Sequence, residues 1–297
     1  MKYKKIILIF VTSSTIWGFN FGVGRAIARE GESILLKSYS RLAIKSLDNI
    51  LERAILKGKI ASIDKYRLHI LYSKIKNGKT LLNRCLNTKG CNPYTFAEIA
   101  KKSQLHREII YKYPYLNLSQ VNQKIGLINE YLMNKFFTSG GWRKIEGEVG
   151  RNGIDGLFIK RKNGKVVDVL LVESKYNKSP LGATKYGKQM SKEWSLKKLD
   201  DLIKKYPNNK EYLTIKDFIN KDRHRSLLWQ TKLQDNKIFL SLKKLNDREG
   251  KVVKSNLAGG EKTRANYKGN QKIDINNPQN RFQENMVKWF EEVLEKI

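Results

Sequence analysis

The segment from Leu157 to Val172 constrains the fold more than any other part of the chain. Leu157-Phe158-Ile159 and the run from Val166 to Val172 are rich in apolar and β-branched residues. Between them Lys162-Asn163-Gly164-Lys165 carries the Asn-Gly signature of a tight turn. Two antiparallel strands are therefore expected. Asp155 stands just ahead of the first, in Gly153-Ile154-Asp155, and Glu173 ends the second, in Val172-Glu173-Ser174-Lys175. Glu173 and Lys175 are two apart, so both project from one face. Whether Asp155 shares that face depends on the turn. A two-residue Asn163-Gly164 loop pairs Asp155 with Val172, on the face opposite Glu173. A three-residue loop with Gly164 left-handed pairs it with Leu171, on the face of Glu173. We expect the three-residue loop or a bulge of equivalent parity.

Two carboxylates and a lysine so arranged suit hydrolysis of a phosphodiester. A hard cation polarises the phosphate and lowers the pKa of a bound water, and carboxylate oxygens are natural ligands for it. Asp155 and Glu173, joined by the Ser174 carbonyl, are the expected ligands. Lys175 would orient the attacking water and stabilise charge developing on the phosphorus. An Asp followed by Glu-x-Lys also describes a surface salt bridge at a strand end, so the flanking elements matter. Ser119 to Phe137 reads as an amphipathic helix with Val121, Ile125, Ile128, Leu132 and Phe136 on one stripe and Ser139-Gly140-Gly141 stopping it. Glu130 lines up instead with Met133 and Phe137 on a second apolar side, which can face a sheet edge or solvent. Trp142 to Val149 can form a first strand, and Gly187 to Trp194 begins a second helical stretch.

With these elements in place the chain resembles the PD-(D/E)XK nuclease superfamily over roughly Gln120 to Leu240. The resemblance implies an α/β class protein with a restriction-endonuclease-like core in the order helix, three antiparallel strands, helix, strand, preceded here by a helical region. Carried over residue by residue, it implies Glu130 as the helix glutamate, Asp155 as the metal aspartate and Glu173 and Lys175 as the Glu-x-Lys pair. Gln189 becomes a polar position of the second helix near the site or the nucleic acid, with Lys188 and Ser174 as further substrate contacts. Gly150 to Gly156, Glu173 to Tyr176 and Gly187 to Ser191 are similar to the nuclease toxins of bacterial contact-dependent inhibition and related polymorphic-toxin systems. That likeness implies cleavage of DNA or transfer RNA, a divalent metal ion (magnesium or manganese, or zinc), and a cognate immunity protein.

Charge agrees with a polyanionic partner. Lys and Arg total 59 against 28 Asp and Glu, a net charge of +31 that favours nucleic acid or an anionic membrane surface. Lysine spread along the whole length favours backbone contacts over base reading. Tyr176, Tyr186 and Trp194, interleaved with lysines, can stack on bases or pack against the second helix.

The remaining chain sorts into segments. Residues 1–28 place Lys2, Lys4 and Lys5 before Ile6-Ile7-Leu8-Ile9-Phe10-Val11 and an Ala26-Ile27-Ala28 site, the order of a secretory signal peptide, or else a buried first helix or strand. Its apolar run is short for a membrane span, so no stable span is expected in the mature chain. Residues 29–115 read as a helical region, by analogy a delivery domain. Its Cys85 and Cys91 suit a small disulfide loop if the protein is exported and free thiols if it is not. Residues 116–297 hold the nuclease-like domain and a C-terminal extension. There Leu196 to Lys205 and Lys210 to Asn220 read as helices, and Ser226 to Gln234 and Lys237 to Leu245 as strands. Asn246 to Asn277 reads as a long loop, and Gln279 to Ile297 as a terminal amphipathic helix.

Other chemistries find less support. His69, His106 and His224 are isolated in sequence, although His224 in a charge run could touch phosphate. Gly259-Gly260 and Gly22-Val23-Gly24 lack the lysine and hydroxyl spacing of a phosphate-binding loop. The sequence thus points to a metal-dependent DNA endonuclease acting as an exported bacterial toxin in a target-cell cytoplasm. An RNA-cleaving toxin with the same site and a non-catalytic basic protein bound to nucleic acid or membrane are the alternatives.

Overall fold

The structure is a computed structural model that describes residues 46–148, 153–246, 249–257 and 270–297. The expected export segment, residues 1–28, lies outside them, as do residues 150–152 of the glycine-rich motif. The chain forms two compact units divided between Asn83 and Arg84. Each is all-helical or mixed according to the sequence periods just described, and together they make a mixed α/β protein with a mixed sheet.

The first unit is helical, with α1 described over residues 46–56, a short 3-10 turn at Ser62–Asp64, and α2 at Lys65–Ser73. Leu47, Leu51 and Ala54 of α1 and Leu68 and Tyr72 of α2 are buried. After α3 (Gly78–Leu86), the second unit continues with α4 (Pro93–Ala100) and α5 (Gln104–Lys112). Asn92 caps α4 through hydrogen bonds from Tyr94 N and Thr95 N, with Pro93 opening the helix where its missing N–H costs nothing. Cys85 and Cys91 are joined as a disulfide, the first of the two states their spacing allowed.

α6 spans Leu118–Ser139, and its start is fixed by a capping box in which Asn117 and Gln120 each accept the other's backbone N–H. Three strands follow: β1 (Arg143–Ile145), β2 (Gly156–Lys162) and β3 (Lys165–Tyr176). β1 is shorter than expected, because Glu146 to Glu148 alternates exposed acids with Gly147 and leaves the ladder. The minor hairpin β4 (Ala183–Thr184) and β5 (Gly187–Lys188) leads into α7 (Lys192–Lys205) and α8 (Lys210–Asn220). The second helix therefore begins later than expected. Gly187 has φ 93° and Met190 φ 68°, so Gly187 to Met190 cannot be helical, and Ser191 caps α7 by accepting from Trp194 N.

β6 (Arg225–Gln234) and β7 (Lys237–Asn246) form a further hairpin through Asp235 and Asn236, both at positive φ. The segment expected to be a loop instead contains β8 (Lys251–Leu257) and β9 (Asn270–Asp274), which pair with opposite ends of β7. The chain closes with α9 (Arg281–Lys296). The sheet order is β1-β2-β3-β6-β7-β8, with β9 also on β7; β3 and β6 run parallel and the other pairs antiparallel.

Helices cover both faces. On one, Leu157, Ile159, Val169, Leu171 and Leu228 pack with Trp194 and Leu199 of α7 and Ile215 and Ile219 of α8. On the other, Phe137 of α6 meets Phe158 at 5.1 Å between ring centroids, and Phe136 meets Trp229 at 5.2 Å. Asn129 of α6 accepts hydrogen bonds from Trp229 Nε1 and Thr231 Oγ1, tying the helix to β6 across that apolar layer.

Candidate active site

The turn decides the site. Asn163 (φ 52°) and Gly164 (φ 75°) form a two-residue loop that pairs Lys162 with Lys165, so the three-residue loop is not formed. The equivalent-parity bulge is. Arg161 pairs with Val166 but Lys160 with Asp168, which leaves Val167 as an extra residue in β3. Beyond that step Gly156 pairs with Val172 and Leu157 with Leu171. One residue further along, Asp155 comes opposite Glu173, on the face of Leu157 and Leu171.

The two acids meet at the end of the sheet. Asp155 Oδ2 accepts a hydrogen bond of 2.9 Å from Ser174 N, so the strand carrying Glu173 holds Asp155 in place. Ile154 N donates to Gly147 O at 2.8 Å and fixes the preceding residue. Lys175 Nζ donates to Glu173 Oε1 at 2.7 Å. Glu173 is only 1% exposed, and its Oε2 is buried with no donor group facing it; a hydrogen bond between the Glu173 and Asp155 carboxyls requires that one of them keep its proton. A buried carboxylate oxygen left bare is costly unless protonated or coordinated.

Glu130 approaches from α6. Met133, one turn later, packs on Gly156, where an added Cβ would lie 2.9 Å from Met133 Cε, 2.6 Å from Phe158 and 3.1 Å from Val172. The missing side chain lets the helix come close beside Asp155. Burial, and next the Asp155 charge, push Glu130 up to about 7, while Lys144 opposes the shift. The second apolar side of α6 is thus the one that brings Glu130 to the sheet, not to solvent. Glu173 is pushed up to about 8 by burial and by Asp155, with Lys175 acting against both. Burial also raises Asp155, although the Ser174 N–H and Lys175 favour its charged form.

The other expected residues separate. Ser174 contributes its N–H to Asp155, but its side chain falls on the opposite face of β3 from Glu173 and Lys175. Gln189 is not on the second helix; it lies ahead of α7 and accepts from Gly182 N at 2.7 Å, which ties the root of the β4–β5 hairpin. Lys188 is exposed on β5. Of the three aromatics, Trp194 is fully buried in the core. Tyr176 packs towards α5, its hydroxyl 3.2 Å from Ser103 Oγ, and not against the second helix. Only Tyr186 is exposed, with Lys185 and Lys197 over its ring. His106 is buried between Ser103 and Asn122, and His224 is buried too, which fits neither a solvated charge run nor the phosphate contact that run allowed.

Two groups escaped the sequence. Gln230 pairs with Lys175 across β3 and β6 and accepts from Lys243 Nζ at 2.8 Å, so a second lysine borders the site. Lys144 of β1 acts on both Glu130 and Asp155. None of these side chains carries a motif of its own, and the only sequence signal for them is their parity within a strand. Among the described residues no three or more His, Cys, Asp or Glu side chains cluster in a way that would hold an ion. The donor set is therefore two carboxylates and main-chain oxygen, hard ligands that suit a divalent cation kept partly hydrated. Asp155, Glu173 with its bare Oε2, and the Ser174 carbonyl would hold it.

Comparison with family models, with curated proteins and with solved structures gave no match.

Proposed function

We propose that the protein is a metal-dependent endonuclease of the PD-(D/E)XK type that hydrolyses DNA. The observation that carries this is the Val167 bulge, which brings Asp155 onto the face of Glu173 and Lys175. The element order supports it too. α6, three antiparallel strands, the α7–α8 layer and β6 parallel to β3 follow one another as the resemblance implies.

A bound divalent cation would activate water and offset phosphate charge. Asp155 and Glu173 bind and orient the reacting groups, with Asp155 steadied by Ser174 N. Lys175, whose Nζ lies against Glu173 Oε1, directs its ammonium at the phosphate and its incoming water. Glu130, pushed up to about 7, can give or take a proton near neutral pH beside the departing oxygen. Lys243 and the exposed Lys188 draw the phosphate backbone in.

RNA, transfer RNA included, is the alternative substrate of the same site. The toxin-like motifs support an exported antibacterial role with an acidic immunity protein, which the +31 charge would attract. The test is incubation with plasmid DNA and total RNA, with magnesium, manganese or zinc and with chelator. We expect metal-dependent plasmid cleavage by the wild type. Asp155→Asn, which keeps an oxygen for Ser174 N, should fold normally and cleave at background. Wild-type cleavage by that variant, or retention of nucleic acid without any strand scission, would overturn the assignment.

A further inference from the structure

α1 and α2 of the first unit form an antiparallel helical hairpin. Glu52 accepts from Lys65 Nζ at 2.8 Å, and Asp48 lies 3.8 Å from His69, so residues that sum to the same register face each other towards a tip at 56–63. The tip backbone is tied to itself, Gly58 N to Ile55 O and Lys59 N to Ala54 O, both at 2.9 Å, and Asp64 N to Ala61 O at 3.0 Å. Such a turn is ordered without help from the side chains around it.

Those side chains are unusual. Leu56 is 86% exposed, Ile63 87% and Tyr66 76%, the three most exposed large apolar residues among those described, and all fall within eleven positions. Single exposed leucines are ordinary; a group gathered at one tip is not. Lys57 and Lys59 stand between Leu56 and Ile63, and Arg53 lies one turn back. From residue 52 to 67 there are five basic residues, Arg53, Lys57, Lys59, Lys65 and Arg67, against Glu52 and Asp64, a net +3.

We propose that this tip docks on an anionic lipid surface, with Leu56 and Ile63 entering the acyl boundary, Tyr66 at headgroup level and Arg53, Lys57 and Lys59 on the headgroups. Protein interfaces are depleted in lysine at their centres, and a nucleic-acid backbone would use the lysines but leave Leu56 and Ile63 in water. Lysines interleaved with aliphatic side chains and a tyrosine match the headgroup and acyl layers of an anionic bilayer.

The test uses the full chain and vesicles of phosphatidylcholine with phosphatidylglycerol. Because a +31 chain is drawn to any anionic vesicle, the readout is apolar insertion. An Ile63→Cys variant carries an environment-sensitive fluorophore on its one free thiol, Cys85 and Cys91 being paired. We expect a blue shift on vesicles, quenching by brominated acyl chains, and no blue shift with DNA. Leu56→Ser with Ile63→Ser should lower vesicle partitioning at least about tenfold with an unchanged circular dichroism spectrum, since each apolar side chain kept from lipid forfeits most of its transfer energy. Unaltered partitioning of the double variant, no brominated-lipid quenching, or a blue shift only with a protein partner would overturn the proposal. None of these outcomes depends on nuclease activity.

Discussion

At the residue scale the informative atom is Glu173 Oε2, bare and buried beside Asp155. Its burial raises Glu173 from 4.5 to about 8. The folded protein therefore keeps a proton that the unfolded chain has already released over that interval. Stability from this group is complete below about pH 4.5 and is lost as pH rises through about 8. Glu130, raised to about 7, acts in the same direction over a narrower window. We expect the metal-free wild type to lose thermal stability between acid and mildly basic pH, and Glu173→Gln to lose distinctly less. Comparing the two proteins removes the contribution of the overall charge, which falls alike in both. Parallel melting curves across that range would show that the carboxyl is not held protonated.

At the element scale one residue sets which face Asp155 occupies. Deleting Val167, half exposed and opposite no partner, would restore the plain two-residue register and turn Asp155 towards α6. We expect a folded protein, by circular dichroism, without nuclease activity; a deletion variant of normal activity would mean the bulge is not what aligns the acids. Gly156→Ala tests the same strand from its other face. Its Cβ would meet Phe158, Met133 and Val172 inside ordinary contact distance, so thermal denaturation should register a loss of about 1–3 kcal/mol. Stability equal to wild type would show that α6 has room to retreat from the sheet.

Much of this scale was legible beforehand. The 3.6-residue period and the Ser139-Gly140-Gly141 stop announced α6, Asn163-Gly164 announced the β2–β3 turn, and Lys210 to Asn220 matches α8 residue for residue. The bulge was readable only as a parity requirement, because Lys165 to Asp168 mixes polar and apolar residues and gives no register of its own. Gly187 to Met190 misled because its small and polar residues precede a true helix, whereas the Ser191 cap was the better marker. β8 and β9 were missed since both are polar strands paired only with β7, where local apolar alternation is weak.

For the whole molecule, charge and site make separate contributions. A net charge of +31 favours attraction to polyanions in general, an attraction that weakens steeply with salt, and cannot by itself cut a bond. Among the described residues no helix is long and apolar enough to cross a membrane. What distinguishes a nuclease from a basic binding protein is a cation held between β2 and β3. The decisive measurement is calorimetric titration of Mn²⁺ into the wild type and Asp155→Asn. We expect saturable binding by the wild type with proton release that reflects the raised Glu173, and loss of that binding in the variant. Equal Mn²⁺ affinity in the two proteins, or no binding by the wild type, would contradict a metal centre at Asp155 and Glu173.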